Sequence, residues 1–169
     1  MPMSEYMREL RAKVGNQLLE VPAAGVVAFD DSGRVLLVRH SEGGLWTTPG
    51  GAIEPRESPA DAALREAWEE TGAHLELSRI IGVYGGPEFV VLYENGDLTS
   101  YLMVVFEARL VGGQLEPDGE ETLEVGCFSR EELGQLALPD WLPPILEDAF
   151  DPATATHYRE PRWKADTTG

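Results

Sequence analysis

Three glutamates near the middle of the chain, Glu66, Glu69 and Glu70, stand at i, i+3 and i+4. On a helix their directions fall within about 100° of arc, so the three carboxylates share one face. Like charges at this spacing repel, and Glu69 and Glu70 fall in the last turn, where the helix dipole disfavours negative charge. A divalent cation is the natural offset. Hard oxygen ligands without Cys or His describe Mg²⁺ or Mn²⁺, with open positions left for water and phosphate oxygens. Taken alone, the three glutamates also suit a solvated acidic helix face, so their surroundings must decide.

The segment from Gly50 to Ala73 reads GGAIEPRESPADAALREAWEETGA. Gly51, Glu57, Arg65, Glu66, Glu69, Glu70 and Gly72 match every fixed position of the pattern G-x5-E-x7-R-E-U-x-E-E-x-G-U, in which U is a bulky apolar residue. The two U positions hold Ala67 and Ala73, a departure that touches packing and not chemistry. On these residues the chain resembles the Nudix hydrolase superfamily (MutT-like). Gly44-Leu45-Trp46 and Pro49-Gly50-Gly51 are similar to that family's approach to the box, and the likeness extends over residues 21–150.

The resemblance implies hydrolysis of a nucleoside diphosphate linked to another moiety, by water attack at the pyrophosphate, with Mg²⁺ or Mn²⁺. Glu66, Glu69 and Glu70 would then be metal ligands, joined by the carbonyl of Gly50 or Gly51. Arg65 would hold a ligand carboxylate in place, either Glu69 at i+4 or Glu57 across the loop, with Glu57 behind the ligands. The general base stays open between Glu70 or Glu69 and a carboxylate outside the box. Glu121 is preferred for that outside position and Glu120 comes next, because both precede the last strand; Glu124 reads as a strand surface residue.

Other residues carry a functional and a plain reading side by side. Arg39 ends a strand near the box loop and could meet a phosphate, while Trp46 could line the substrate cleft or simply pack beside that loop. Cys127 reads as core, since nothing nearby would activate a thiol, and His40 and His74 as surface. Arg159, Arg162 and Lys164 could reach a phosphate or a partner subunit, or be solvated. Pro87 falls 15 residues after Gly72, similar to a spacing in ADP-ribose pyrophosphatases of the family. Tyr84, Phe89 and Tyr93 could offer a platform for a base, or core. The substrate candidates are ADP-ribose, a nucleotide sugar and a (deoxy)nucleoside triphosphate. The alternatives are a nucleotide-binding regulator without turnover, against which the intact Glu69 and Glu70 count, and an acidic interaction protein with an incidental metal site.

The elements that must position these groups follow from periodicity and turn chemistry. Ser58 caps a helix to Thr71, with Pro59 in its first turn and Gly72 at its end. Residues 22–29, 34–39, 80–84, 89–93, 98–110 and 122–128 read as strands. Asn95-Gly96 makes a hairpin turn and Gly112-Gly113 another. Residues 41–57 read as one long loop. Ala60, Ala63, Leu64 and Ala67 form an apolar stripe beside the glutamates. An amphipathic helix spans 4–14, Ser129 and Glu132 start a short helix with a capping box, and a last helix runs 140–150. This order suits an α+β fold, a Nudix-type α/β/α sandwich with a mixed β-sheet between helices. One domain over 1–169 is expected, with a core at 21–150, the N-terminal helix and a polar tail at 151–169 as extensions.

Composition narrows the partners. The 169 residues hold 30 Asp and Glu against 13 Lys and Arg, a net charge of −17. Such a length buries roughly 70% of the unfolded surface, enough for a core without staples. The acidic surface repels a nucleic-acid polymer, so phosphates of a small nucleotide must be met with borrowed positive charge. The single Cys127 excludes an internal disulfide. No signal-peptide pattern or run of ~20 apolar residues is present, which leads to the expectation of a cytoplasmic protein without membrane partners. The terminal extensions are candidates for a homodimer contact.

Overall fold

The computed structural model describes residues 4–41, 43–151, 153 and 155–159. Its elements are α1 (Glu5–Val14), β1 (Leu19–Phe29), β2 (Val35–His40), β3 (Trp46–Thr47), β4 (Gly50–Ala52), α2 (Pro59–Thr71), β5 (Ala73–Tyr84), β6 (Val90–Leu92), β7 (Leu98–Gly113), β8 (Thr122–Phe128), α3 (Arg130–Leu133) and α4 (Leu142–Phe150).

The parallel pair β1 and β7, in register from Leu19↔Thr99 to Phe29↔Arg109, forms the spine of a mixed sheet. The remaining pairings are antiparallel: β5 and β6 on β7, β4 on β1, and β3 and β8 on β2. β1 and β2 meet only at Phe29↔Val35 and then diverge. Their separation leaves the first half of β1 free to pair with β4 at Ala23↔Ala52, Ala24↔Gly51 and Gly25↔Gly50. The glycine-rich segment is thereby drawn into the sheet.

Each face of the sheet has its own core. Val27, Leu37, Ile81 and Val105 on one face pack with Leu133 of α3 and Leu142, Ile145 and Leu146 of α4. Val26, Ala28, Leu36 and Phe106 on the other pack with Ala62, Ala63 and Ala67 of α2. Helix, sheet and helix make the expected sandwich. β1 reads as a continuous apolar run because both its faces are covered.

The main helix forms as its sequence dictates. The Ser58 hydroxyl accepts the Asp61 N–H at 3.2 Å and donates to the Asp61 carboxylate at 2.7 Å. At the far end Gly72 takes the left-handed conformation, φ 68°, that stops a helix. The buried stripe is Ala62, Ala63, Ala67 and Thr71. Leu64 is exposed, as is its i+4 neighbour Trp68; the stripe lies one residue around the helix from the expectation, because the glutamates are themselves turned inward.

Other expectations change too. Residues 41–57 are not one loop but carry β3 and β4, which the sheet recruits by long-range pairing. Gly112 and Gly113 form no turn: they extend β7 against His74 and Ala73. Strand β5 begins at Ala73, well before Ile80, with three irregularities in its pairing to β7. Part of the tail is engaged. His157 exchanges backbone hydrogen bonds with Ile81 and Val83 across the outer edge of β5, and its ring stacks on Tyr84 at 4.8 Å.

The fully buried alanines let α2 approach the sheet closely. Ala63→Leu is expected to overpack this contact and cost about 1–3 kcal/mol. A thermal melt would then fall by roughly 2–4 °C per kcal/mol; an unchanged melting temperature would show slack under the helix.

Candidate metal and phosphate site

Arg65 organises the site. Its Nε donates to Glu57 Oε1 at 2.8 Å and its Nη2 to Glu57 Oε2 at 2.8 Å, a two-pronged grip across the loop. Nη2 also donates to the Ala52 carbonyl at 3.1 Å, while Nη1 donates to Glu66 Oε1 at 2.7 Å and Glu69 Oε2 at 3.0 Å. All five guanidinium N–H groups therefore have an acceptor. The two expected alternatives for Arg65 are both realised, and Glu66 is added. Hydrogen bonding to Glu57, with the bonds to Glu66 and Glu69, outweighs burial and leaves the guanidinium still harder to deprotonate than usual. In return, Arg65 holds the Glu57 carboxyl below its ordinary range. Glu57 also accepts the Glu54 N–H at 3.0 Å and closes a turn in which Arg56 adopts φ 77°.

Two of the three helix glutamates are buried. Glu66 is 8% exposed and Glu70 only 3%, with Glu69 between helix and solvent. They face β4. A Cβ on Gly51 would stand 2.6 Å from the Glu66 carboxyl carbon, and one on Gly50 would stand 2.6 Å from the Ala24 carbonyl oxygen. Hydrogen at both positions is what lets the strand, the sheet and the carboxylates stack in so little space. The Gly50 N–H donates to Glu70 Oε2 at 3.1 Å.

The electrostatics follow from that packing. Burial, then repulsion from Glu66, pushes the Glu70 carboxyl up to about 8 despite the Gly50 N–H. Burial also raises Glu66, against the pull of Arg65. Glu121 adds a further repulsion at Glu70, so the acid before β8 belongs to the same electrostatic neighbourhood. Oxygen donors crowded beyond the positive charge present fit a hard cation. The groups are not gathered into an ion-holding cluster of three acidic, His or Cys side chains among the described residues. Glu66 and Glu69 are instead turned to Arg65, and Glu70 to Gly50.

The other expected residues divide. Arg39 forms a short ion pair with exposed Glu124 across β2 and β8. Trp46 packs edge-on against Phe128 at 4.8 Å and joins the core beside α3 and α4. Tyr84 and Phe89 are buried core and not an open platform, while the Tyr93 and Tyr101 hydroxyls meet at 2.5 Å. Pro87 opens a short 3₁₀ turn. Cys127 is half-buried against the α2-side core, and burial pushes its thiol up. Arg159 is paired with Glu88 at 2.5 Å. Arg162 and Lys164 lie outside the described residues. His74 is exposed as expected, but His40 is not a surface residue: it is half-buried, with Nε2 2.8 Å from Thr47 Oγ1.

Asp118 was missed. Its Oδ1 accepts the N–H groups of Glu120, Glu121 and Thr122 at 2.8, 3.0 and 2.9 Å. Burial would raise this carboxyl, but the three donors, Thr122 foremost, hold it below the usual range. An Asp followed by Gly before a strand is the signal that could have found this Asx-type turn.

A helix presents arginine-locked carboxylates to a glycine strand, within a helix–sheet–helix sandwich. The model described as the NUDIX domain matches residues 19–149, and the chain belongs to that family. A MutT-like protein of Streptomyces ambofaciens is 31% identical over 148 residues, 88% of this chain and 88% of that protein. A putative 8-oxo-dGTP diphosphatase of Bacillus subtilis (strain 168) is 36% identical over 117 residues, 69% of this chain and 72% of the relative. Among solved structures, a MutT protein from Methanosarcina mazei Go1 superposes with a TM-score of 0.66 at 25% identity, over 79% of this chain and 95% of that chain.

Removing the guanidinium would leave Glu57, Glu66 and Glu69 without their shared donor. Arg65→Met is expected to cost about 3 kcal/mol or more. Arg65→Lys keeps the charge but not the planar fork and should recover only part of the loss in denaturant melts. Full recovery by lysine would show that charge alone, not the geometry of the fork, holds the site.

Proposed function

We propose that this chain, a hydrolase acting on pyrophosphate bonds, cleaves a nucleoside diphosphate joined to another moiety, drawn from ADP-ribose, nucleotide sugars and (deoxy)nucleoside triphosphates. Glu66, Glu69 and Glu70, joined by the Gly51 carbonyl, would hold a divalent cation, Mg²⁺ or Mn²⁺. When bound, the cation supplies positive charge to the pyrophosphate oxygens and polarises the phosphorus for attack. The observation that carries this reading is the buried Glu66–Glu70 pair beneath Gly50 and Gly51, with Arg65 committed on every donor.

The chain's own residues have distinct tasks in this scheme. Arg65 orients Glu66 and Glu69, and Glu57 orients Arg65. The Gly50 N–H aims Glu70. Glu121, outside the helix, would take the proton of the attacking water, a role for which Glu70 or Glu69 is the alternative. Arg39 would exchange its exposed partner Glu124 for a substrate phosphate, and Trp46 would wall the cleft beside it. The name of the Bacillus subtilis relative favours the triphosphates, and the position of Pro87 favours ADP-ribose. The net charge of −17 favours a small nucleotide over a polymer. No helix among the described residues is long and apolar enough to cross a membrane.

The test is a panel of ADP-ribose, nucleotide sugars, dinucleoside polyphosphates and (deoxy)nucleoside triphosphates at mildly alkaline pH with Mg²⁺ or Mn²⁺. At least one should be cleaved at its pyrophosphate, and Glu70→Gln should lower kcat by about 100-fold or more. Silence across the panel in protein that binds Mn²⁺ would shift the reading to a nucleotide-binding regulator.

A further inference from the structure

The turn before β8 is held more firmly than a loop of exposed acids requires. Asp118 caps three successive N–H groups within it. The Gly119 N–H donates to the Thr122 carbonyl at 3.0 Å, and Thr122 is fully buried. From the other side, the Ser41 N–H donates to the Glu121 carbonyl at 2.7 Å. The pairing of β2 with β8 also breaks here: Arg39 faces Glu124 while His40 faces Thr122, so Leu123 is an extra residue on β8. A bulge of this kind re-aims the chain beside it.

His40 sits at that break. Its Nε2 is 2.8 Å from the Thr47 hydroxyl, and Thr47 is itself buried on β3. Burial holds the imidazole below its usual range, against the nearby Glu121 and Asp118 charges and the Glu121 backbone. The ring ties the end of β2 to β3, and the next residue, Ser41, ties that same end to Glu121 through its N–H.

We propose that His40 is a positioning residue for Glu121: anchored on Thr47, its imidazole fixes the end of β2 from which the Ser41 N–H grips the Glu121 carbonyl, and so sets the turn that carries the Glu121 side chain. The inference rests on the reading of Glu121 as the acid that serves the site from outside the helix. Three segments far apart in sequence, ending β2, forming β3 and opening β8, are joined at His40 and Ser41. The ring touches neither the helix glutamates nor the glycine strand through any hydrogen bond described above, so its effect on chemistry passes through Glu121.

The experiment combines kinetics on a substrate the enzyme cleaves with amide hydrogen exchange of segment 118–122. His40→Ala should lower kcat about 10- to 100-fold, the scale of a displacement of about 1 Å, with KM within about twofold. It should also speed exchange across 118–122 without altering exchange in α2. His40→Gln, whose amide both donates and accepts, should restore much of kcat. In a Glu121→Gln background, removing His40 should cost nothing further. Full kcat in His40→Ala, or an equal loss from His40→Ala with and without Glu121→Gln, overturns the inference. A fully active Glu121→Gln overturns the reading beneath it instead, while unchanged exchange in His40→Ala overturns the anchoring itself. Should His40→Ala fail to fold, Thr47→Val removes the hydroxyl that anchors the ring and is judged by the same outcomes.

Discussion

One guanidinium sets the conditions for everything near the site. Arg65 joins the helix to the loop through Glu57, to β4 through the Ala52 carbonyl, and to its own helix through Glu66 and Glu69. Each of these acceptors lies at a different depth, and only a planar fork with five donors reaches all of them. The helix is therefore not merely packed on the sheet by alanines. It is pinned in rotation, and that rotation decides where Glu66 and Glu70 point.

Pinning has an electrostatic consequence. It turns two carboxyl groups toward a strand whose Gly50 N–H reaches Glu70. Burial raises both carboxyls, and repulsion from Glu69 adds to it at Glu66 and from Glu66 at Glu70. Such an arrangement is unfavourable in itself and favourable to anything that brings positive charge. The rest of the fold offsets this cost. The alanine face of α2, the capped ends at Ser58 and Gly72, and two cores on opposite faces of the sheet stabilise the helix that carries the repulsion.

Much of this was legible in the sequence because it is local. The Ser58 cap, the Gly72 stop and the i, i+3, i+4 glutamates depend on neighbours within one or two turns, as does Glu69 at i+4 of Arg65, whereas Glu57 lies across the loop and the Arg65 bonds to Glu66 and Ala52 had no sequence signal. The helix boundaries and the capping box at Ser129 came out as read for the same reason. What escaped depends on distant pairing. β3 and β4 exist because β1 and β2 diverge, which no pattern within 41–57 records. His40 looked like a surface residue because its burial comes from Thr47 and from the turn before β8. Tyr84 and Phe89 were open to either reading, and the core claimed them, while Trp46 stays half-buried against Phe128.

In the proposed function Glu66 and Glu70 form a carboxyl pair short of positive charge, held by Arg65 for a divalent cation. The most direct measurement is a thermal melt with and without Mn²⁺ for the wild type and for a Glu66→Gln, Glu70→Gln double variant. Binding to the folded form alone should raise the wild-type melting temperature in proportion to RT ln(1 + [L]/Kd). The double variant should melt higher than the wild type without metal, because the buried repulsion is gone, and should gain nothing from Mn²⁺. A double variant that melts lower without metal, or one that keeps the full Mn²⁺ shift, would contradict the claim.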